Sequence, residues 1–129
     1  MNLVDSSAWL EYLADGPGAG VFEPVITKTQ DLLVPVIYLY EVFKRVLQQR
    51  DEHTALRAVA LMQQGRVVEL DADIALRAVK HSIEYKLPMA DAIILATAHA
   101  CEAIIWTQDA DFQNINGVKY YSKDSSGSV

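Results

Sequence analysis

Hydrophobic and polar positions follow two different periods along the chain, and their alternation predicts strands separated by helices. Short apolar runs are typical of buried strands, whereas longer stretches with apolar side chains every three or four positions are typical of amphipathic helices. Strands are predicted at residues 2–4, 32–36, 66–70, 103–106 and 118–121. Helices are predicted at residues 6–15, 20–30, 37–50, 53–64, 73–86 and 88–102.

Glycine and proline mark the ends of several of these segments. Residues 16–18, Gly-Pro-Gly, end the first helix, Gly65 ends the fourth, and Pro88 suits the first turn of the last. Pro35 indicates an edge strand or a strand end, because proline cannot donate a ladder hydrogen bond. Strands that alternate with helices predict an α/β fold with a mostly parallel sheet of about five strands and helices on both faces.

The composition fits one domain. With 129 residues, 51% of them hydrophobic, the chain can bury a single core, predicted over residues 1–122, before a polar tail at 123–129 that we expect to be disordered. No apolar stretch reaches the ~18 residues that span a bilayer, and no basic segment precedes the first strand. We therefore expect a soluble cytoplasmic protein without a membrane anchor. The single cysteine, Cys101, excludes an internal disulfide.

Four carboxylates follow predicted strands or open predicted helices. Asp5 and Asp109 come after strands, Glu41 lies near the start of a helix, and Asp91 lies in the first turn of another. In an open α/β sheet, ligands bind beyond the carboxyl ends of the strands, where the strand order reverses. Helices that follow strands begin at that same edge, so we expect the four acids to converge there.

Such a cluster needs a counterion. Two unit charges ~4 Å apart repel by about 4 kcal/mol at an effective dielectric near 20, which is large against a domain stability of ~5–15 kcal/mol. Helix N-termini favour nearby anions by only ~0.3–1 kcal/mol each. The sequence offers oxygen ligands and no His/Cys cluster, so it predicts Mg²⁺ or Mn²⁺ as the cofactor of a metal-dependent nuclease.

Four segments carry a resemblance to a known family. VDSSAWLEYL, the glutamate of VIYLYEVFKRVL, the aspartate of LPMADAIILATA, and IIWTQDADF together resemble a PIN domain, and more closely the VapC-type ribonuclease toxins of toxin–antitoxin pairs. The likeness covers nearly the whole chain, in order. It implies a three-layer α/β/α fold, Mg²⁺- or Mn²⁺-dependent endonucleolytic cleavage of RNA, inhibition by a cognate antitoxin, and a homodimer.

The resemblance also assigns roles to individual positions. The catalytic and metal-binding acids that it implies are Asp5, Glu41, Asp91 and Asp109. The residues that it places around them as hydrogen-bonding support are Ser7 and Thr107, with Asp111 as an outer ligand. Gln108 departs from the family pattern, in which a basic residue is frequent. The mechanistic hypothesis is in-line attack by water on a phosphodiester, with Glu41 orienting the water or a second ion.

Each acid also has a structural interpretation. Asp5 is equally well explained as a helix cap, and Asp91 as a first-turn residue that favours the helix dipole. The structural interpretation of Glu41 is a solvated charge on a helix surface. Its neighbourhood, residues 36–43, is otherwise apolar, so an unpaired charge there would be costly. The sequence does not separate Asp109 from Asp111, because one could bind metal while the other caps a turn.

Three motifs elsewhere have mainly structural explanations. Asp71 and Asp73 imitate a DxD metal motif, but they precede a helical run and are interpreted as a helix cap. The aromatic residues interpreted as core or dimer contacts rather than base-stacking groups are Trp9, Tyr38, Tyr40 and Trp106. Lys44, Arg45 and Arg50 form the candidate RNA-binding track, although a solvated helix face explains them equally well.

The net charge of −6 bears on the partner. Two bound divalent ions would cancel four of these charges, and the remainder argues against tight nonspecific binding to phosphates. We therefore expect a selective RNA cleaver that recognises folded or looped RNA. Two other function classes stay open: a non-catalytic partner-binding domain of the same fold, and a phosphoacceptor receiver domain, which would want an acidic pair after the first strand where this chain has Ser6 after Asp5.

Overall fold

The computed structural model describes residues 1–123 and shows, within them, five strands and six α-helices. The strands are β1 Asn2–Val4, β2 Leu32–Pro35, β3 Arg66–Val68, β4 Ile104–Thr107 and β5 Val118–Tyr120. The helices are α1 Ser6–Leu13, α2 Ala19–Thr27, α3 Val36–Gln49, α4 Glu52–Met62, α5 Ala72–Tyr85 and α6 Met89–Ala100. Short 3₁₀ helices occupy Thr29–Asp31 and Ala110–Phe112. The predicted disordered tail, beyond Lys123, lies outside the described residues.

The five strands form one parallel sheet in the order β3-β2-β1-β4-β5. The chain proceeds outward from β1 to β2 and β3, and then returns to the other side of β1 with β4. The strand order therefore reverses between β1 and β4, where Leu3 pairs with Ile105 and Val4 with Trp106. This reversal is the position at which α/β sheets bind ligands.

Helices cover both faces of the sheet. Right-handed crossover connections place α1 to α4, which link β1 to β2 and β2 to β3, on one face, and α5 and α6, which return the chain to β4, on the other. The predicted α/β/α class is thus confirmed. The largest fully buried side chains include Leu3, Trp9, Phe22, Leu33, Tyr38, Ile94, Ile105 and Phe112. No helix among the described residues is long and apolar enough to cross a membrane.

Pro35 is a strand end and not a marker of an edge. It is the last residue of β2, which lies inside the sheet between β1 and β3. Pro35 also occupies the N-cap position of α3, so strand and helix join without a loop. This direct junction puts Glu41 within the second turn of α3, close to the carboxyl edge of the sheet.

The DxD-like pair is a helix cap, as predicted. Asp71 accepts a hydrogen bond from the backbone N–H of Ile74 at 2.9 Å, and exposed Asp73 pairs with Arg77 at 2.8 Å along α5. Neither side chain is near the carboxylates described below. Of the two expectations for Tyr40, a core position is wrong, since the residue is 66% exposed and lies beside Lys44, and a dimer contact stays a prediction.

Candidate active site

Asp5 is the most buried acid of the predicted quartet, with 3% exposure directly after β1. Its Oδ2 atom accepts hydrogen bonds from the Ser7 backbone N–H at 3.3 Å, the Ser7 hydroxyl at 2.6 Å and the Thr107 hydroxyl at 2.9 Å. The Tyr38 hydroxyl donates to Oδ1. A buried charge is tolerated only when it is well hydrogen-bonded, and these four donors meet that condition. Asp5 therefore caps α1 and belongs to the site at the same time.

The residues after β4 are tied to the start of α1. The Thr107 hydroxyl, which donates to Asp5, accepts a hydrogen bond from the backbone N–H of Asp109 at 2.8 Å. The Ser7 hydroxyl accepts one from the backbone N–H of Gln108 at 3.1 Å. Two small hydroxyl groups thereby fix the backbone of the segment that carries Asp109.

Three aspartates lie together at the strand reversal. Asp91, Asp109 and Asp111 each offer a carboxylate oxygen, and these oxygens lie within 4.8 Å of one another. Burial and the charges of Asp109 and Asp5 raise the pKa of Asp91 to about 8. Burial, together with the charge of Asp5, also raises the pKa of Asp109. Asp109 caps the following 3₁₀ helix by accepting the Asp111 backbone N–H at 2.9 Å.

Glu41 joins this group from α3. Its Oε2 atom accepts a hydrogen bond from the Ser6 hydroxyl at 3.1 Å. Burial raises the pKa of Glu41, the Ser6 hydrogen bond opposes that shift, and the charges of Asp5 and Asp109 add to it. The four predicted acids are therefore near enough to perturb one another, although they come from four separate parts of the chain.

Gln108 contributes a hydrogen bond beside the acids. It is buried, and its Nε2 atom donates to Glu11 Oε2 at 3.2 Å, where the Gly18 backbone N–H also donates at 3.4 Å. A Cβ atom at Gly16 would lie 1.8 Å from Glu11 Oε1, so a side chain there would displace this carboxylate. The turn after α1 is thus linked to the end of β4 through Glu11.

An open cleft of about 890 Å³ lies along these residues. Its lining includes Asp5, Ser6, Glu41, Gln108, Asp109, Tyr120, Arg45 and Lys123. The positive charge of Lys123 lowers the pKa of Asp109, which opposes the larger effect of burial. Arg45 is the member of the predicted RNA-binding track that lines this cleft. Arg50 instead lines a neighbouring groove, and Lys44 lies 5.7 Å from the Tyr40 ring centroid.

The donor set fits a hard divalent cation. The clustered ligands are all carboxylate oxygens, which Mg²⁺ and Mn²⁺ prefer, and imidazole and thiolate are absent from the cluster. The pKa of Asp91 is raised first by burial and then by the negative charges of Asp109 and Asp5. A cation placed among Asp91, Asp109 and Asp111 would relieve this repulsion.

A family model for the PIN domain matches residues 3–118. The chain belongs to the PIN domain family. No curated protein matches it as a relative.

Solved structures share this PIN fold over nearly their full length. A toxin–antitoxin complex from Klebsiella pneumoniae contains a chain with 27% identity and a TM-score of 0.79, covering 95% of this chain and 99% of that one. VapC20 of Mycobacterium tuberculosis, described as a toxin that cleaves the sarcin-ricin loop, has 17% identity and a TM-score of 0.75, with coverage of 90% and 95%. VapBC2 of Rickettsia felis, bound to promoter DNA, has 13% identity and a TM-score of 0.72, with coverage of 94% and 97%.

Sequence reasoning missed three participants of this PIN site. Ser6 was considered only as a departure from a receiver domain, yet its hydroxyl holds Glu41. Tyr38 was interpreted as core or a dimer contact, and its position three residues before Glu41, on the same helix face, was the available signal. Lys123 falls in the tail that is predicted to be disordered, and no local pattern indicates that it lines the cleft.

Proposed function

We propose that this chain is a divalent-metal-dependent endoribonuclease and the toxin of a toxin–antitoxin pair. The observation that carries the proposal is the cluster of Asp91, Asp109 and Asp111 beside Asp5, at the strand reversal of a PIN fold. Burial and the neighbouring negative charges raise the pKa of Asp91 and of Asp109, which is the arrangement expected where a cation belongs.

Asp91 and Asp109 would hold the ion, and Asp111 lies in the same cluster. The family resemblance adds Asp5 as a ligand and makes Asp111 an outer ligand. A bound Mg²⁺ or Mn²⁺ would lower the pKa of a coordinated water and stabilise charge on the leaving oxygen. Glu41 is held by Ser6 at the side of the cleft, where its carboxylate can orient the attacking water and accept its proton.

RNA is the proposed substrate. Arg45 and Lys123 give the cleft basic groups that can contact phosphates beside the scissile bond. The description of VapC20 as a sarcin-ricin loop cleaving toxin concerns that protein, and it supports RNA as the substrate class here. The net charge of −6 disfavours broad phosphate binding, so we infer that the substrate is a folded or looped RNA.

A groove next to the cleft suits the antitoxin. It has a volume of about 580 Å³ and lies between α1, α3 and α4, with Leu10, Leu13, Ala58, Ala60 and Leu61 among its lining residues. Leu10 and Gln49 line both the groove and the cleft, so the two are continuous. An antitoxin segment with apolar side chains would fill the groove. The antitoxin residues that follow this segment would then lie in the cleft beside the acidic residues. The toxin–antitoxin complexes among the similar structures support this kind of partner.

A second copy of the chain is the proposed occupant of the exposed face of α5. Leu76, Val79 and Ile83 lie along this face at the spacing of a helix seam, with 72%, 51% and 74% exposure. An antiparallel, two-fold pairing of this face with the same face of a second copy would bury these three apolar side chains. We propose a homodimer that acts in the cytoplasm.

RNA cleavage by the purified chain tests the enzymatic part of the proposal. Structured RNA is incubated with Mg²⁺, with Mn²⁺ and with EDTA, and cut positions are mapped by primer extension. We expect discrete cuts with either metal and none with EDTA. Asp91→Asn and Asp109→Asn should each lose the activity, whereas Asp15→Asn, purified identically, should keep it because Asp15 is exposed in the turn after α1. Cleavage that persists in EDTA or in Asp91→Asn would refute the proposal.

Expression in cells tests the toxin part. Induction of the wild-type chain should arrest growth, and coexpression of the protein encoded beside it should restore growth. The Asp91→Asn variant should be harmless at the same expression level. If cells keep growing while they contain folded, active wild-type protein, the toxin assignment is refuted and the nuclease assignment stands.

A further inference from the structure

Among residues 1–123, the buried hydroxyl of Tyr38 is the donor to Oδ1 of Asp5, the oxygen that Ser7 and Thr107 do not reach. Oδ2 of Asp5 receives all the hydrogen bonds from Ser7 and Thr107, and Oδ1 receives the hydrogen bond from Tyr38. Without Tyr38, Ser7 and Thr107 would hold Asp5 through a single oxygen, about which the carboxylate could tilt. The Tyr38 hydrogen bond therefore fixes the second oxygen.

The position of Tyr38 in the fold makes this hydrogen bond rigid. Tyr38 lies in the first turn of α3, immediately after β2, and its side chain is only 1% exposed. Asp5 lies at the end of the neighbouring strand β1. Donor and acceptor are thus carried by two adjacent parallel strands and packed side chains, which leaves few alternative orientations.

Tyr38 is also close to the other acids. The charges of Asp5, Glu41 and Asp91 all act on its hydroxyl. These three residues come from β1, α3 and α6, so the phenol group lies among the elements that build the site. An ordinary core tyrosine would find its partner in a backbone carbonyl or a side chain away from the site.

We propose that Tyr38 is a positioning residue for the divalent ion: by fixing Oδ1 of Asp5, its hydroxyl sets the affinity of the site for metal. The inference rests on the proposed metal dependence of the nuclease. Residues that orient metal ligands by hydrogen bonding typically change metal affinity 10–100-fold when they are removed. Tyr38 touches neither substrate nor ion in this scheme and acts through Asp5.

The test is a titration of Mn²⁺ into the purified full chain, followed by electron paramagnetic resonance of the free ion. Tyr38→Phe keeps the ring and removes the hydroxyl, and we expect its Mn²⁺ Kd to rise about 10-fold or more. The matched control is Tyr12→Phe, because Tyr12 is a partly buried tyrosine of α1 that contacts the Trp9 ring. The control should bind Mn²⁺ as the wild type does.

A purely structural role for Tyr38 predicts a different result. Tyr38→Phe would then lose stability in denaturant but bind Mn²⁺ with a Kd within twofold of wild type, and this outcome would overturn the inference. Cleavage kinetics give a second readout. If Tyr38 positions the ligand, Tyr38→Phe should need more Mn²⁺ to reach its half-maximal cleavage rate. At saturating Mn²⁺ its cleavage rate should be close to that of the wild type.

A second pair of variants covers the case in which Tyr38→Phe does not fold. 4-Aminophenylalanine and 4-methylphenylalanine both keep the ring and nearly the reach of tyrosine, but only the amino group can donate a hydrogen bond to Asp5. The chain with 4-aminophenylalanine at position 38 should bind Mn²⁺ more tightly than the chain with 4-methylphenylalanine there, and equal affinities would contradict the inference. Wild-type protein that binds no Mn²⁺ at all would instead refute the proposed metal dependence, so the two failures are distinguishable.

Discussion

Thr107 donates a hydrogen bond to Asp5 across 2.9 Å, although 102 positions separate the two residues in the chain. The same hydroxyl accepts the backbone N–H of Asp109 at 2.8 Å. One buried side chain therefore connects the most buried acid of the site to the backbone of another. The stability of the fold and the geometry of the acids depend on the same atoms.

Thr107→Val should reduce both stability and activity. Valine has nearly the shape of threonine, but it leaves Asp5 without one donor and the Asp109 N–H without an acceptor, at an expected total cost of ~1–3 kcal/mol. Urea denaturation monitored by circular dichroism measures the free energy of unfolding. Thr97→Val is the control, because the hydroxyl of buried Thr97 donates its hydrogen bond to the Ile93 carbonyl within α6, away from the acids. An equal loss in both variants would contradict a special role for Thr107.

The sequence predicted the elements of this site better than its contacts. The period of apolar residues and the glycine and proline signals are local. They predicted the five strands and six α-helices of the described residues, but not the two 3₁₀ helices, and they placed the four acids at one sheet edge. The partners of Asp5 are not local: Tyr38 and Thr107 reach it only because β2 and β4 flank β1. From the sequence alone, a tyrosine in an apolar helix is predicted to be a core residue. Only the fold shows that the hydroxyl of Tyr38 donates to a carboxylate.

Stability of the metal-free chain should fall as pH rises from about 4 to 8. The pKa of Asp91 is raised from 3.8 to about 8, so in this window the folded chain keeps a proton that the unfolded chain releases. The stabilisation that comes from this proton is fully present below the pKa that Asp91 has in the unfolded chain. It is lost as the pH rises through the pKa of Asp91 in the folded chain. Thermal unfolding in EDTA across this range should show the decline, and Asp91→Asn should flatten it.

An exposed acid provides the comparison for that pH profile. Asp15→Asn removes one carboxylate away from the cluster, and its profile should parallel that of the wild type. A wild-type melting temperature that rises steadily from pH 4 to 8 in EDTA would show that Asp91 does not titrate as its surroundings indicate.

Divalent metal should stabilise the chain, and more strongly at pH 8 than at pH 6. An ion that binds only the folded state adds RT ln(1 + [L]/Kd), or about 2.7 kcal/mol at one hundred times Kd. At pH 6 the ion competes with the proton on Asp91, which weakens its binding. Melting temperatures with MgCl₂ or MnCl₂ are compared with NaCl at matched ionic strength. Asp109→Asn should lose most of the increase; an unchanged increase would place the ion elsewhere.

Ala60→Arg should separate inhibition from cleavage. Ala60 is exposed on α4 and lines the groove proposed for the antitoxin, so a long charged side chain there obstructs an apolar segment without disturbing the acids. We expect at least a 10-fold weaker affinity for the antitoxin, measured by calorimetry, with the rate of RNA cleavage unchanged. Ala100→Arg, at the exposed end of α6, should alter neither quantity. Wild-type antitoxin affinity in Ala60→Arg would exclude this groove.

Ile83→Lys should convert the proposed homodimer into a monomer. Ile83 is 74% exposed on α5, so the substitution removes no core contact, and stability of the single chain should be nearly unchanged. In an antiparallel pairing of α5 with α5, each copy would contribute a lysine to the apolar seam, and both charges would lose water without gaining a partner. Sedimentation velocity should show a dimer for the wild type and for Leu56→Lys, whose site on α4 is 53% exposed but outside this face. A dimer that survives Ile83→Lys, or that is lost only in Leu56→Lys, would move the interface away from α5.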